Sequence, residues 1–248
     1  MTIPKMIQTQ LNHRTIRTFK DKEVPQEVID VLFEVANQTA TSSNMQSFSM
    51  IHITDQTIKD EISGICKQEY PKKSPMFVVF VVDTHRNNQI MLEEGIRRPA
   101  TADMNRFFQG TLDSALAAQN MVNAAEALGL GTCYFGSILN DSKRLIELLK
   151  LPTLTMPILG LGIGYPDQDP KIKPRIPIKN KVFENHYPLK TDYKEALQQY
   201  DQALSTYYQN REVDGCTRFV DYVINKYSNV NPKRSEILKV IKSQGFNV

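Results

Sequence analysis

The sequence predicts a core of sheet and helices that is followed by a helical tail. Residues 77–82 are apolar at every position, which is typical of a strand buried on both faces of a sheet. Residues 112–128 are crowded with alanine and end before Gly129, as expected for a central helix that other backbones approach closely. From residue 193 onward the pattern is helical and poor in apolar residues, so we expect this tail to wrap the core or a partner subunit.

The other elements follow from local signals along the chain. Pro25 stands at the first turn of a helix over residues 25–38, with Val28, Leu32 and Val35 on one face. Further strands are expected at 48–54, 132–136 and 156–165, and further helices at 141–149, 193–209, 216–227 and 233–243. The Arg-rich stretch 93–106 predicts a partly exposed excursion, and four prolines between 166 and 177 predict an extended loop.

Composition excludes several classes of protein. The chain has 248 residues, 41% apolar and 23% charged, with a net charge of +3, so neither nucleic-acid binding nor a membrane partner is required. Three cysteines without CxxC spacing argue against a disulfide framework and a zinc site, and they fit a reducing cytoplasm. The four histidines are scattered, so we expect no metal site. We expect no signal peptide, and the longest apolar run, Met76 to Val82, is too short to span a bilayer.

Two basic segments far apart in the chain carry the strongest chemical signal. His13-Arg14-Thr15-Ile16-Arg17 and Lys173-Pro174-Arg175-Ile176-Pro177 together offer four permanent cations and a histidine. Bidentate arginine and a point-charge lysine bind a phosphate without a metal. The pattern therefore suggests a nucleotide-like cofactor that carries one phosphate and joins the two segments.

Other nucleotide and hydrolase motifs do not fit. Gly160, Gly162 and Gly164 follow an apolar strand, but Tyr165 and Pro166 come next, where a dinucleotide-binding fold needs a helix. No GxSxG elbow or phosphate-binding loop with its lysine is present in the sequence.

Six ordered segments resemble one family. They are His-Arg-Thr-Ile-Arg at 13–17, Thr-Ser-Ser-x-x-Gln at 41–46, Ala-Gln-Asn at 118–120, Ala-Glu-Ala-Leu-Gly-Leu-Gly at 125–131, Tyr-Phe-Gly at 134–136 and Lys-Pro-Arg-Ile-Pro at 173–177. The chain resembles the FMN-dependent nitroreductase/flavin reductase family, in its NADPH-preferring, oxygen-insensitive branch. The resemblance covers nearly the whole length, with 90–106 and 212–220 divergent.

The resemblance implies an α+β fold with a central, mostly antiparallel sheet flanked by helices, in an intertwined homodimer with FMN at the interface. It implies an FMN-binding core over residues 1–192 and a helical extension over 193–248 that packs on the core or on the partner. Such enzymes take hydride from NAD(P)H and reduce nitroaromatics, quinones, free flavins or related small-molecule acceptors by a ping-pong cycle. A non-catalytic flavin-binding or regulatory protein of the same fold is the competing hypothesis.

The resemblance also implies roles for individual residues. Arg17 faces the N1–C2=O edge of the flavin, where a fixed cation stabilises the negative charge that develops on reduction. Around the phosphate and ribityl chain lie His13, Arg14, Thr15, Lys173 and Arg175. The partner subunit contributes Thr41, Ser42 and Ser43, and Gln68 meets the pyrimidine edge. The turn formed by Tyr134, Phe135, Gly136 and Ser137 presents backbone N–H groups to N5 and O4. No side chain is expected to act as a catalytic acid or base.

The sequence departs from the family pattern in three places, one of which is Ser137, where a second glycine is usual. Arg211 and Arg218 are candidates for binding the nucleotide, but Glu212 and Asp214 lie beside them and oppose a 2′-phosphate, which leaves the choice between NADPH and NADH open. Asn44 stands where an aromatic residue often covers the substrate pocket, so we expect a more polar acceptor site.

Overall fold

The computed structural model describes residues 3–97, 99–209 and 218–248, so Arg211 lies outside the described residues. Contacts divide the chain into two compact units. The first unit runs to Pro170 and includes Asn231–Val248, and the second unit is Lys171–Val230.

A four-stranded antiparallel sheet forms the centre of the first unit. Its strands are β1 (Phe48–His52), β2 (Met76–Asp83), β3 (Gly131–Phe135) and β4 (Thr155–Gly164), in the order β1-β2-β4-β3. All three pairings are antiparallel, which confirms the predicted sheet. Alternate residues of β2 enter two different core clusters, Val78 and Phe80 on one face and Phe77 and Val79 on the other. Burial on both faces explains the unbroken apolar run, because each fully buried phenylalanine contributes roughly 1.5–3 kcal/mol.

Helices of the first unit cover both faces of the sheet. In chain order the helices are α1 (Lys5–Leu11), α2 (Gln26–Asn37), α3 (Gln56–Cys66), α4 (His85–Glu93), α5 (Met104–Ala127), α6 (Ser142–Leu148), α7 (Tyr193–Gln209), α8 (Phe219–Ser228), α9 (Pro232–Ser235) and α10 (Ile237–Ser243), of which α7 and α8 belong to the second unit. Across the described residues, every helix is too short or too polar to cross a membrane.

The excursion predicted between 93 and 106 is shorter than expected. Helix α4 ends at Glu93, and α5 begins at Met104, about two turns before the predicted start at 112. The side chain of Asp103 caps α5 by accepting a hydrogen bond from the backbone N–H of Asn105 at 2.8 Å. The first turns of α5 contain polar residues and are only partly packed, so the apolar periodicity of the sequence does not show where the helix begins.

The two faces of α5 differ. Ala117, Ala118 and Met121 are fully buried against the sheet. On the opposite side Phe108, Leu112 and Leu116 follow one another at a spacing of four and are 61%, 61% and 53% exposed. The helix therefore carries an apolar stripe on its solvent side, which we call the outer face of α5.

The C-terminal residues belong to the first unit. The carbonyl of Gln244 accepts a hydrogen bond from the N–H of Leu154 at 2.6 Å, and the Gln244 amide donates to the carbonyls of Pro152 and Thr155. Phe246 packs against Phe107 with their ring centroids 5.0 Å apart. These contacts fix α9 and α10 on the sheet-containing unit.

The second unit contains α7 and α8. The rings of Tyr200 and Phe219 pack at 5.2 Å, and Asp201 accepts a hydrogen bond from the N–H of Val220 at 3.1 Å. The predicted helical character of the tail is confirmed over the described residues.

Candidate functional site

The N-terminal motif lies along the edge strand β3. The N–H of Ile16 donates to the carbonyl of Thr132 at 2.9 Å, and Thr15 and Thr132 form a parallel bridge. A Cβ on Gly131 would stand 2.6 Å from the Ile16 side chain, so glycine is required for this close approach. Ile16 is buried, and Arg17 on the next position is exposed.

The charge of Arg17 affects the pKa of a cysteine on β3. Burial raises the pKa of the Cys133 thiol to about 11, and the charge of Arg17 opposes that rise. Burial also raises the pKa of Cys66. Both thiols are neutral at pH 7, which removes them as nucleophiles.

Carboxylates hold the first two residues of the motif. His13 Nδ1 lies 2.6 Å from Glu126 Oε1, which also accepts a hydrogen bond from the Thr132 hydroxyl at 2.9 Å. Arg14 forms an ion pair with Asp169 and donates to the carbonyl of Pro170 at 3.4 Å. These contacts orient the side chains of His13 and Arg14.

The end of β3 brings a second group of predicted residues together. The Ser137 hydroxyl donates to Oε1 of Gln68 at 2.9 Å, which places Gln68 beside the turn that follows Phe135. The Tyr134 hydroxyl donates to Gln119 Oε1 at 3.3 Å, and burial raises its pKa, so it stays protonated. The structure therefore gathers 13–17, Gln68 and 134–137 around one strand.

Gly136 borders open space at this turn. A Cβ there would meet no heavy atom nearer than Nη2 of Arg234, at 4.0 Å. Protein packing does not demand glycine at this position, so the space on this side can admit a ligand. Arg234, on α9, was not predicted as a site residue. Its segment shows only a helical pattern, and it lies about 100 residues from β3 in the sequence, so nothing local indicates that the two are close in space.

The loop that carries Thr41, Ser42 and Ser43 has a strained backbone. Ser43, Asn44 and Gln46 have φ values of 52°, 57° and 49°, a region that side-chain-bearing residues rarely adopt. The loop from 41 to 47 therefore needs outside support.

Helix α5 supplies that support through a buried acid. Asp113 is 2% exposed, and its Oδ1 accepts from the N–H of Ser42 at 3.0 Å while its Oδ2 accepts from the N–H of Ser47 at 3.2 Å. Gly110, one turn earlier, is required because a Cβ there would lie 2.6 Å from the Ser47 carbonyl oxygen. Neither Asp113 nor Gly110 was predicted from the sequence as a site residue. An acid on the buried stripe of an alanine-rich helix was the available signal, since a buried charge needs partners.

The basic residues of the second unit have their own surroundings. Lys173 Nζ lies 5.2 Å from the centre of the Tyr208 ring. Burial raises the pKa of Tyr200, and the charges of Lys173 and Arg175 oppose that rise, so both cations lie near Tyr200. Arg218 makes two hydrogen bonds of 2.8 Å to the Asp221 carboxylate.

Known proteins match this chain over nearly its whole length. The pattern of the Nitroreductase family matches residues 11–165, and that of the Nitroreductase family C-terminal domain matches residues 173–248. The chain belongs to the Nitroreductase family. This confirms the resemblance and its α+β fold.

Individual nitroreductases support the assignment. The FMN reductase (NADPH) of Bacillus subtilis is 36% identical over 246 residues, which cover 97% of this chain and 98% of that protein. The structure of the B. subtilis NfrA1 nitroreductase is 35% identical with a TM-score of 0.92, covering 98% of this chain and 99% of the other. The NADPH:FMN oxidoreductase from Vibrio harveyi, solved with NAD+, is 29% identical with a TM-score of 0.87 over 98% and 99% of the two chains.

Proposed function

We propose that this nitroreductase is an FMN-dependent NAD(P)H oxidoreductase that reduces nitroaromatics, quinones or free flavins in a ping-pong cycle. The supporting observation is the gathering of the 13–17 motif, Gln68 and the 134–137 turn around β3. Relatives named for FMN reduction with NADPH share the fold over almost all of both chains.

The donor groups around β3 fit a flavin. Open space at Gly136 would let a flat ring approach the backbone of this turn, and the Gln68 side chain, positioned by Ser137, would offer its amide N–H groups to a pyrimidine edge. Bound FMN supplies the hydride chemistry. With FMN bound, Arg17 would hold a positive charge near the N1–C2=O edge, as the family resemblance implies. Arg234 lies near Gly136 and would add a second positive charge beside the turn.

Further roles follow from the sequence resemblance. We propose that His13, Arg14 and Thr15 hold the phosphate and ribityl chain, and that Lys173 and Arg175 bind the phosphate. Thr41, Ser42 and Ser43 contact the flavin of the partner subunit, and Asn44 lines the acceptor site. Arg211 and Arg218 contact the nicotinamide dinucleotide. Residues 1–192 form the FMN-binding core, and the helical extension 193–248 packs on the core or the partner.

The proposed homodimer accounts for the outer face of α5. Phe108, Leu112 and Leu116 form a contiguous apolar stripe that a monomer would leave in water. A second subunit that covers this stripe would bury its apolar area and stabilise the assembly.

Cys66 and Cys133 are free, buried thiols, which supports the proposed cytoplasmic location.

A spectrum tests the function directly. The purified protein is expected to show flavin absorbance that bleaches without oxygen on addition of NADPH or NADH and returns when nitrofurazone is added. A yellow protein that neither nucleotide bleaches would instead indicate the non-catalytic flavin-binding protein. Comparing the bleaching rates with the two nucleotides measures the preference that Glu212 and Asp214 leave open.

A further inference from the structure

A separate cavity of about 550 Å³ lies between the strained loop and the segment that leads from β2 into α5. Asn44 and Met45 stand on the loop side, and Ile90, Ala100 and Arg106 on the other. Its size is in the range of cavities that hold small organic molecules, roughly 300–1,000 Å³. We call it the α4–α5 cavity.

Part of the wall of this cavity is apolar and adaptable. Met45, Ile90, Met91 and Ala100 all line it. Methionine side chains adjust to different ligand shapes and contact aromatic rings favourably. These residues suit a flat apolar body of the size of a substituted benzene or naphthalene.

The rest of the wall is positively charged. Arg106 donates from Nη1 to the neutral Gln109 side chain at 2.9 Å, and no carboxylate of the described residues lies within 4.0 Å of it in an ion pair. Arg86 has Asp83 at 3.9 Å, but that carboxylate also accepts from the Ser49 hydroxyl at 2.5 Å. Among the described residues that line the cavity there is no Asp or Glu, so the two guanidinium groups set the charge of this wall.

Hydrogen bonds tie the cavity wall to the loop. The Arg86 guanidinium donates to the carbonyl of Gln46, and the Asn87 amide donates to the carbonyl of Met45 at 3.0 Å. A guanidinium has five N–H groups, so those of Arg86 that do not bind Gln46 can contact a ligand. An anion bound by Arg86 would therefore lie beside the loop that carries Asn44.

We propose that the α4–α5 cavity binds aromatic acids, with the carboxylate at Arg86 and Arg106 and the ring between Met45, Ile90 and Met91. In this protein it selects aromatic acceptors that carry an anionic group. This second statement rests on the proposed function, since it takes Asn44 to line the acceptor site. The binding statement stands by itself.

Calorimetric titration of the full-length, FMN-loaded protein with 4-nitrobenzoate and with the neutral 4-nitrobenzamide tests the binding. One benzoate is expected per chain, and the amide is expected to bind about 10- to 100-fold more weakly, as for loss of a charge-assisted hydrogen bond. Arg106→Ala should weaken benzoate binding by a similar factor, and Ala100→Trp should abolish it by filling the cavity. Arg144→Ala is the control, because that exposed arginine pairs with Glu61 and does not line the cavity.

Each outcome decides the proposal. Weaker binding in both cavity variants, with the control unchanged, supports it. Binding equal to wild type in either cavity variant, equal weakening in Arg144→Ala, or an amide that binds as well as the benzoate overturns it.

Turnover tests the selection of acceptors. Each cycle consumes one NAD(P)H and one proton and converts the nitro group to a nitroso group and water. Arg106→Ala should raise KM for 4-nitrobenzoate about 10-fold or more, with KM for 4-nitrobenzamide unchanged. An unchanged KM for nitrobenzoate overturns the selection. Absence of NAD(P)H oxidation with any acceptor would refute the proposed function, and the titration would still decide whether the cavity binds aromatic acids.

Discussion

Asp113→Asn is the sharpest perturbation of the proposed flavin site, because it changes one buried atom that touches no ligand. The carboxylate accepts one backbone N–H on each oxygen, from Ser42 and from Ser47. An asparagine of nearly the same shape keeps one acceptor and points an NH2 group at the other N–H. The variant therefore loses one hydrogen bond and leaves a buried donor without a partner.

The expected loss of stability follows from the number of hydrogen bonds that the variant loses. A hydrogen bond to a charged group contributes about 1.5–3 kcal/mol, so Asp113→Asn should lower the free energy of unfolding by that amount and Asp113→Ala by about twice as much. For a chain of this length, about 1.5–3 kcal/mol corresponds to a Tm lower by roughly 3–12 °C. The loop also contains Ser43, Asn44 and Gln46 at positive φ, each strained by about 1–3 kcal/mol, so it should relax once its support is weakened.

Two measurements separate stability from function. Thermal unfolding of the flavin-free protein gives the stability change, and fluorescence titration gives the FMN affinity. This affinity should fall about 10-fold if weakening one contact between the loop and FMN costs about 1.4 kcal/mol of binding free energy. Asp30→Asn is a matched control, because Asp30 is an exposed acid on α2 whose side chain accepts a hydrogen bond, within the part of the chain that the structure describes, from Gln26 alone. An Asp113→Asn variant as stable as wild type would refute the hydrogen-bond argument. A destabilised variant that binds FMN normally would refute the link between the loop and the flavin.

Four further predictions address charge, assembly and pH. Arg175→Ala should weaken FMN binding by about 10- to 150-fold, and an unchanged affinity in a flavin titration would remove that residue from the site. Arg17→Ala should keep much of its FMN but slow reduction by NADPH at least about 10-fold in stopped-flow measurements, and a wild-type rate would exclude its electronic role. Leu112→Glu should give monomers by light scattering, because it places a charge in the outer face of α5, and an intact dimer would place the interface elsewhere. Burial and the charge of Lys59 lower the pKa of His52 below 6.5, so the unfolded chain takes up the proton first and stability falls as the pH drops below about 6.5. His52→Gln should make this loss shallower in urea titrations between pH 7 and 5, and a loss as steep as in wild type would assign it to other groups.

The elements with strong periodicity were predictable, and those without it were not. Every residue of the run 77–82 is buried, and the alanine-rich helix buries one continuous stripe of small residues, so both patterns are unambiguous. The beginning of α5 at Met104 depends on the local cap from Asp103, which has no apolar periodicity, and on packing of Phe107 against Phe246, which is a contact with a distant part of the chain. Single-sequence periodicity contains no such contact, so the prediction began at the first clearly apolar turn.

The same limit applies to the candidate site. Motifs located residues that are proposed to touch the flavin, since the family pattern records them in order. Residues that hold those residues in place were missed, because their partners are backbone groups far away in sequence: Asp113 lies 71 residues from Ser42. Asp113 shares its stripe with Ala117 and Met121 at a spacing of four, so an acid at a buried position was the readable signal.

The ion pairs of the N-terminal motif bear on how it would receive a phosphate. Among the described residues, His13 and Arg14 each have a carboxylate partner, whereas Arg17 has none within 4.0 Å. Asp169 is 86% exposed, and exposed ion pairs contribute only about 0–1 kcal/mol, so Arg14 can exchange Asp169 for a phosphate at little cost. Glu126 is 12% exposed and also holds Thr132, so its pairing with His13 should persist when a ligand binds. Glu126 would then fix the orientation of the His13 ring beside a bound phosphate.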